Sequence, residues 1–150
     1  MAHIFFEAEI NSSVEDVFLY RTGEGALERL TPPWQKVSII EYDGELPKNG
    51  TATFSIKEKW LPPVKWKSEF SNYEKNKCYT ETLISGPFKK WVHTRYFEPL
   101  DKNKCKVRDE IEFILPFGKL GALLGEKEVR QNLNDLFKFR YEALASMSTC

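Results

Sequence analysis

The chain has 150 residues, of which 22 are Lys or Arg and 22 are Asp or Glu, so its formal net charge is zero. This length is typical of one domain with its own core, and the balanced charge argues against a nucleic-acid-binding protein that relies on a basic face. No apolar run approaches the roughly 18 residues that a membrane-spanning helix needs. We therefore expect one domain over residues 1–150, located in the cytoplasm, without nucleic acid as a partner and without stable membrane insertion.

The cysteine and histidine content argues against metal or disulfide chemistry. The three cysteines have no CxxC spacing, and their number is odd. Two histidines with scattered carboxylates make a poor metal site. We therefore expect no metal and no cofactor. The unusual feature is the aromatic content, because Phe, Trp and Tyr make up 14% of the residues.

The first thirty residues indicate a strand and two short helices. Residues 2–11 alternate between apolar and polar side chains, which is typical of a strand with one buried face. Ser12 or Ser13 can cap a following helix, and the glycines at 23 and 25 end it. Residues 26–30 allow a second short helix before Pro32 stops it.

From residue 36 the polarity period becomes two and remains so as far as residue 115. The predicted strands are residues 36–42, 50–60, 64–73, 77–85, 89–99 and 104–115. Short, turn-rich loops separate them, so neighbouring strands must be antiparallel. Residues 119–147 then show an apolar stripe at helical spacing. A long helix after a meander packs across the concave face of the sheet, and one helix cannot fill that face, so we expect a cavity lined by aromatic side chains.

Four segments carry a resemblance to a known fold family. They are residues 10–18 (INSSVEDVF), 30–34 (LTPPW), 86–88 (GPF) with Trp91 and His93, and 109–118 (DEIEFILPFG). Together they resemble the helix-grip fold of the START/SRPBCC superfamily, and in particular its small bacterial ligand-binding and cyclase-like subgroup. Arg95 stands where many members carry a second histidine. The resemblance spans the chain and implies an α+β fold. It does not imply one activity, because this fold hosts transfer, binding, catalysis and chaperone work.

Two predicted strands place polar residues on the face that points inward. On 89–99 and 104–115 one face carries mostly large apolar residues, and the other face of the second strand is uniformly charged. A hairpin centred on Lys102 pairs Phe97 with Val107, Arg95 with Asp109, and His93 with Ile111. A hairpin at 86–87 pairs Trp91 with Leu83, His93 with Glu81, and Arg95 with Tyr79.

These registers predict a polar group of Glu81, His93, Arg95 and Asp109 inside an aromatic cavity. We expect a direct ion pair between Arg95 and Asp109, which face each other across the strands. Glu81 could orient and charge His93, which would make His93 a general acid/base near neutral pH. The alternative is a satisfied internal network that fixes register and ligand orientation without chemistry.

Binding, or binding and transport, of a hydrophobic or aromatic small molecule or lipid is the leading functional hypothesis. One alternative is a polyketide cyclase/aromatase-like enzyme with His93 as catalytic acid/base and Arg95 holding an enolate or carboxylate. Another is a protein-interaction module, which needs an exposed apolar patch and whose partner the sequence does not identify. Trp60 could anchor a loop or gate the cavity, and residues 120–125 could form a packed turn or a lid. The candidate ligand-binding residues are Trp66, Phe70, Tyr79, Glu81, Trp91, His93, Arg95, Phe97, Asp109, Ile111, Phe113, Leu133 and Phe137.

Overall fold

The computed structural model describes residues 1–58, 62–116 and 118–149, with the side chains of all of these except 118–124, 148 and 149. In chain order the elements are β1 Ala2–Ile10, α1 Val14–Thr22, α2 Ala26–Leu30, β2 Gln35–Asp43, β3 Gly50–Glu58, β4 Val64–Glu74, β5 Cys78–Ser85, β6 Lys90–Asp101, β7 Lys104–Ile114 and α3 Gly118–Ala145, followed by a 3₁₀ turn at Ser146–Thr149. This order confirms the predicted α+β architecture. The described ends of the elements agree with the predicted ones to within two residues.

All seven strands form one antiparallel sheet in the order β1-β7-β6-β5-β4-β3-β2. The strands β2 to β7 form the predicted meander, while β1 pairs with β7, with Ile10 opposite Cys105. The connection from β1 to β2 must therefore pass from one edge of the sheet to the other. The helices α1 and α2 lie in this connection, and α1 packs on β6 and β7.

Local sequence explains how α1 and α2 begin and end. Ser13 caps α1, because its hydroxyl accepts a hydrogen bond from the Asp16 amide at 3.1 Å. The N-cap of α2 is Gly25, whose φ of +80° lies in the left-handed region that suits glycine. Gly25 therefore permits the backbone conformation from which α2 begins, and α2 packs beside α3.

Two apolar clusters lie on the concave face. One surrounds α1 and joins Val17 and Phe18 to Phe97 and Val107. The other surrounds α3, where the buried side chains Leu133 and Phe137 pack with Trp91, Ile111 and Phe113. The Phe137 ring stacks on that of Phe6 with centroids 4.5 Å apart. The predicted apolar stripe of α3 therefore does face the sheet.

The register of the central hairpins agrees with the prediction for five of the six named pairs. The sixth, Trp91 with Leu83, is not formed, because the ladder between β5 and β6 ends at Thr82 and Val92. The structure pairs Phe97 with Val107, Arg95 with Asp109, His93 with Ile111, His93 with Glu81, and Arg95 with Tyr79. The turn differs from the predicted one, because Asp101 pairs with Lys104 and leaves two residues in the loop where three were expected. An irregularity between Pro99 and Asp101 absorbs the odd residue, so the pairs further along the hairpin keep their register.

Two predictions fall on positions that the structure does not describe. Trp60 lies outside the described residues, and so do the side chains at 120–124, so the proposed gate and lid stay predictions. In the described part of the chain, no helix combines the length and the hydropathy required to cross a membrane.

Candidate functional site

A belt of polar side chains separates the two apolar clusters. On β7, Asp109 lies between Val107 of the α1 cluster and Ile111 of the α3 cluster. On β6, His93 and Arg95 lie between Trp91 and Phe97 in the same way, and Glu81 continues the belt on β5. We call Glu81, His93, Arg95 and Asp109 the polar belt. It crosses three neighbouring strands on the concave face.

Asp109 is fully buried and has three side-chain partners. Arg21 at the end of α1 donates to both carboxylate oxygens, at 2.9 and 3.2 Å. The His93 ring places Nε2 2.7 Å from Oδ1, and the Tyr141 hydroxyl of α3 lies 2.7 Å from Oδ2. Burial alone would raise the pKa of the Asp109 carboxyl, but the Arg21 guanidinium and the His93 hydrogen bond hold it well below its usual range. Asp109 is therefore a carboxylate that binds α1, β6 and α3 at one point.

The predicted ion pair between Arg95 and Asp109 is wrong, although the two residues are directly opposite in the sheet. Arg95 instead donates to Glu81 at 3.0 Å and lies over the Tyr79 ring, 4.9 Å from its centroid. The difference follows from the lengths and the other partners of the two side chains. The long Arg95 side chain extends to β5, while the short Asp109 side chain is already bonded to Arg21 from above the sheet.

Glu81, whose side chain is 12% exposed, forms the second carboxylate group of the site. It accepts a hydrogen bond from the Ser68 hydroxyl at 2.6 Å, and Ser68 in turn accepts one from the Trp66 indole at 2.8 Å. Burial would raise the pKa of Glu81, but Arg95 and the Ser68 hydrogen bond lower it below its usual value. Glu81 is therefore ionised and bound to Arg95, so it does not orient His93 as expected.

His93 is neutral in this environment. Burial, reinforced by the Arg95 charge, lowers its pKa to about 4 even though Asp109 acts in the opposite direction. Because Asp109 is ionised, Nε2 must carry the proton and donate to it, which leaves Nδ1 without a proton. The expectation of a charged His93 oriented by Glu81 is therefore corrected to a neutral His93 oriented by Asp109.

The sequence analysis missed three residues of the site. Arg21 follows Val14, Val17 and Phe18 at helical spacing, so its place on the buried face of α1 was a signal in the sequence. Arg140 likewise falls three residues after Phe137 on the apolar stripe of α3. Tyr141 lies on that stripe too, but periodicity cannot show that its hydroxyl reaches Asp109 and the Phe6 carbonyl, the latter at 3.0 Å.

Two adjoining pockets lie above the belt. The α2 pocket, of about 380 Å³, is lined mainly by the segment from Arg21 to Thr31 together with residues of the sheet. The α3 pocket, of about 360 Å³, is bounded by β2–β6 and α3. Most of its lining side chains are apolar, and they are Leu27, Val37, Phe54, Ile56, Pro62, Val64, Trp66, Pro87, Phe88, Trp91, Val129, Leu133, Leu136 and Phe137. The two pockets have a shared wall formed by Leu27, Thr31, Phe54, Glu81, Arg95 and Arg140.

The structure divides the predicted ligand-binding residues into two groups. Those that line a pocket are Trp66, Phe70, Tyr79, Glu81, Trp91, His93, Arg95, Leu133 and Phe137. The others are buried beneath the pockets in the packed face of the sheet, and they are Phe97, Asp109, Ile111 and Phe113. Phe97 packs against Phe18 of α1, Asp109 is bonded to α1 and α3, and Ile111 and Phe113 lie in the cluster around α3.

Comparison with known proteins places this fold and site in context. A family model described as polyketide cyclase/dehydrase and lipid transport matches residues 10–137, which is most of the chain. No curated protein sequence shows significant similarity to this chain.

Solved structures share the fold at low sequence identity. The aromatase/cyclase Zhui from a Streptomyces species has a TM-score of 0.75 at 9% identity, over 99% of this chain and 93% of its own. A norcoclaurine synthase from Thalictrum flavum, solved in complex with dopamine and hydroxybenzaldehyde, has a TM-score of 0.70 at 17% identity, over 97% and 85%. A Thermus thermophilus protein has a TM-score of 0.71 at 18% identity, over 98% and 99%. These similarities establish the helix-grip fold alone.

The buried Arg21–Asp109 pair predicts strong coupling in a double-mutant cycle. Asp109→Ala should cost about 3–5 kcal/mol of unfolding free energy, because it leaves Arg21 charged, buried and unpaired. When Asp109→Ala is combined with Arg21→Met, urea denaturation of the two single variants and the double variant should give a coupling energy of about 1–3 kcal/mol. The matched cycle of Arg95→Met with Asp109→Ala should be additive to within about 0.5 kcal/mol. A larger coupling for Arg95 than for Arg21 would contradict the observed pairing.

The lowered pKa of His93 predicts a stability change in mild acid. Between its ordinary value of 6.5 and the folded value of about 4, the unfolded chain takes up a proton that the folded protein does not. The free energy of unfolding should therefore fall as the pH falls through this window, by up to about 1.4 kcal/mol per pH unit. His93→Gln keeps an N–H donor for Asp109 and should lose this part of the slope.

The measurement is urea denaturation of both proteins at several pH values between about 7 and about 5. The Asp109 and Glu81 carboxyls have pKa values lowered from 3.8 and 4.5, so their contributions are lost at pH values below this range. Equal slopes for the two proteins would show that His93 does not titrate as the structure implies.

Proposed function

Because the chain belongs to the polyketide cyclase/dehydrase and lipid transport family, we propose that it binds an apolar or aromatic small molecule between the sheet and α3. The observation that carries the proposal is the α3 pocket. Its volume of about 360 Å³ lies in the range typical of small-molecule sites. Its walls are mainly apolar, and a few polar groups converge on them, which is the usual composition of such a site.

The aromatic wall of the α3 pocket suits a flat, apolar ligand. The rings of Trp66 and Trp91 meet edge to face, with centroids 5.1 Å apart and an interplanar angle of 86°. Phe88 packs on both, at 5.8 and 4.9 Å. Side chains held by one another in this way present a preformed surface, so binding costs little conformational entropy. The norcoclaurine synthase of the same fold holds dopamine and hydroxybenzaldehyde, which are aromatic molecules of a size that such a pocket accommodates.

Titration with N-phenyl-1-naphthylamine, a neutral dye that fluoresces in apolar surroundings, tests the proposal. The dye should bind the wild-type protein. Ile56→Trp fills part of the α3 pocket and should weaken binding by about tenfold or more. Ile84→Trp is the matched control, because Ile84 is 52% exposed and lies outside the lining of both pockets. Failure of the dye to bind the wild-type protein, or equal binding by both variants, would overturn the proposal.

A cyclase-like enzyme is the second candidate, and the His93–Asp109 hydrogen bond is the observation that favours it. The pair fixes the tautomer of His93, and the unprotonated Nδ1 belongs to a ring that lines the α3 pocket beside Arg95. Such a nitrogen could remove a proton next to a substrate carbonyl, and Arg95 could stabilise the enolate. The pKa of about 4 makes His93 a weak base, which is why we place binding first.

Proton exchange of acetophenone in D₂O, followed by ¹H NMR, distinguishes the two candidates. If the second is right, the protein should accelerate the loss of the methyl signal, and His93→Gln should abolish the acceleration. His3→Gln is the matched control, because His3 is exposed on β1 and is the other histidine of the chain. An exchange rate equal to that of buffer would exclude this chemistry for acetophenone and leave the binding proposal intact.

A further inference from the structure

Three arginine side chains reach the interior around the two pockets, and two of them have carboxylate partners. Arg21 is paired with Asp109 at 2.9 Å, and Arg95 with Glu81 at 3.0 Å. Arg140 differs. Among the residues that the structure describes, no carboxylate pairs with it. Its Nε donates to the Leu30 carbonyl at 3.3 Å, and its guanidinium lies 5.2 Å from the centre of the Phe137 ring.

The shared wall therefore carries one more positive charge than negative charge. Arg95 and Arg140 contribute two positive charges and Glu81 offsets one, while the adjoining Arg21–Asp109 pair is balanced and His93 is neutral. Two further carboxylates touch the pockets at their rims, where they are more accessible to water. Glu28 is exposed, and half-buried Glu58 accepts a hydrogen bond from Gln35 at 2.6 Å.

Arg95 and Arg140 lie together at the shared wall, and each has unused hydrogen-bonding capacity. The Arg95 side chain donates to Glu81 through Nη2, while its Nη1 atom is buried without a hydrogen-bond partner in the described structure. Burial and repulsion from the charges of Arg95 and Arg21 lower the pKa of Arg140 to about 10. Arg140 is therefore still charged at neutral pH. A buried donor without a partner costs free energy until a ligand satisfies it.

We infer, on the premise that the proposed binding function is right, that the ligand carries one carboxylate, which lies at the shared wall between Arg95 and Arg140. A guanidinium matches a carboxylate in planar geometry, and one negative charge would neutralise the shared wall. The apolar part of the ligand would then occupy the α3 pocket against Trp66 and Trp91. The ligand class is an aromatic or alicyclic carboxylic acid.

The test compares two probes that differ in charge and little in shape, 2-naphthoate and 2-naphthamide, by isothermal titration calorimetry. The wild-type protein should bind the naphthoate about tenfold more tightly, because a hydrogen bond to a charged group contributes more than one to a neutral group. Arg140→Gln should remove most of this preference by weakening naphthoate binding, with little change for naphthamide. The variant removes a half-buried charge that has no carboxylate partner among the described residues, so it should fold, and circular dichroism checks this.

Lys138→Gln is the matched control, because Lys138 is exposed on α3 two residues before Arg140. This substitution removes the same charge outside the pockets. It should leave both affinities unchanged. Equal wild-type affinities for the two probes, or equal losses in Lys138→Gln and Arg140→Gln, would overturn the inference of an anionic ligand. If N-phenyl-1-naphthylamine still binds in that case, the proposed function stands without it. If neither that dye nor the two probes bind, both proposals are wrong.

Discussion

A carboxylate that has no contact with water holds this structure together at one point. Removing Asp109 from water carries a large desolvation cost, which only close, well-oriented partners can offset. Those partners are Arg21 from α1, His93 from β6 and Tyr141 from α3, at 2.7–2.9 Å. The sheet and both helices that cover it therefore depend on one side chain of β7. Loss of that side chain would leave Arg21 as an unpaired buried cation and the His93 N–H without its acceptor, while Tyr141 would keep the Phe6 carbonyl.

The position of this carboxylate also determines where a ligand could lie. Asp109 and its neighbours separate the apolar cluster around α1 from the one around α3, so the core is divided into two parts. The two pockets adjoin one another above this boundary, and their shared wall contains Glu81, Arg95 and Arg140. An apolar chamber bounded by a charged wall favours a molecule with an apolar body and one polar end.

The sequence analysis was most successful for features that depend on short-range periodicity. Alternation along 104–115 places Val107, Asp109 and Ile111 on the inner face, and the structure buries all three. The predicted hairpin centred on Lys102 pairs Arg95 with Asp109 in the sheet, as observed. The ion pair predicted from this register, Arg95 with Asp109, is not formed, because backbone pairing does not decide where long side chains extend. Arg21 lies 88 residues before Asp109, so no local pattern shows that it takes the place assigned to Arg95.

The sequence by itself determined the order of the elements, the inward face of the central strands and the polar character of the site, because these follow from side-chain alternation and turn residues a few positions apart. Only the tertiary structure decided that β1 joins the sheet beside β7 and that α1 therefore packs on the concave face. It also decided that Arg21 of α1 and Tyr141 of α3 both reach Asp109. It also decided that Arg140 is left without a carboxylate among the described residues. The partner of a buried charge depends on which distant segments approach it, and that approach is set by the packing of the whole sheet and its helices.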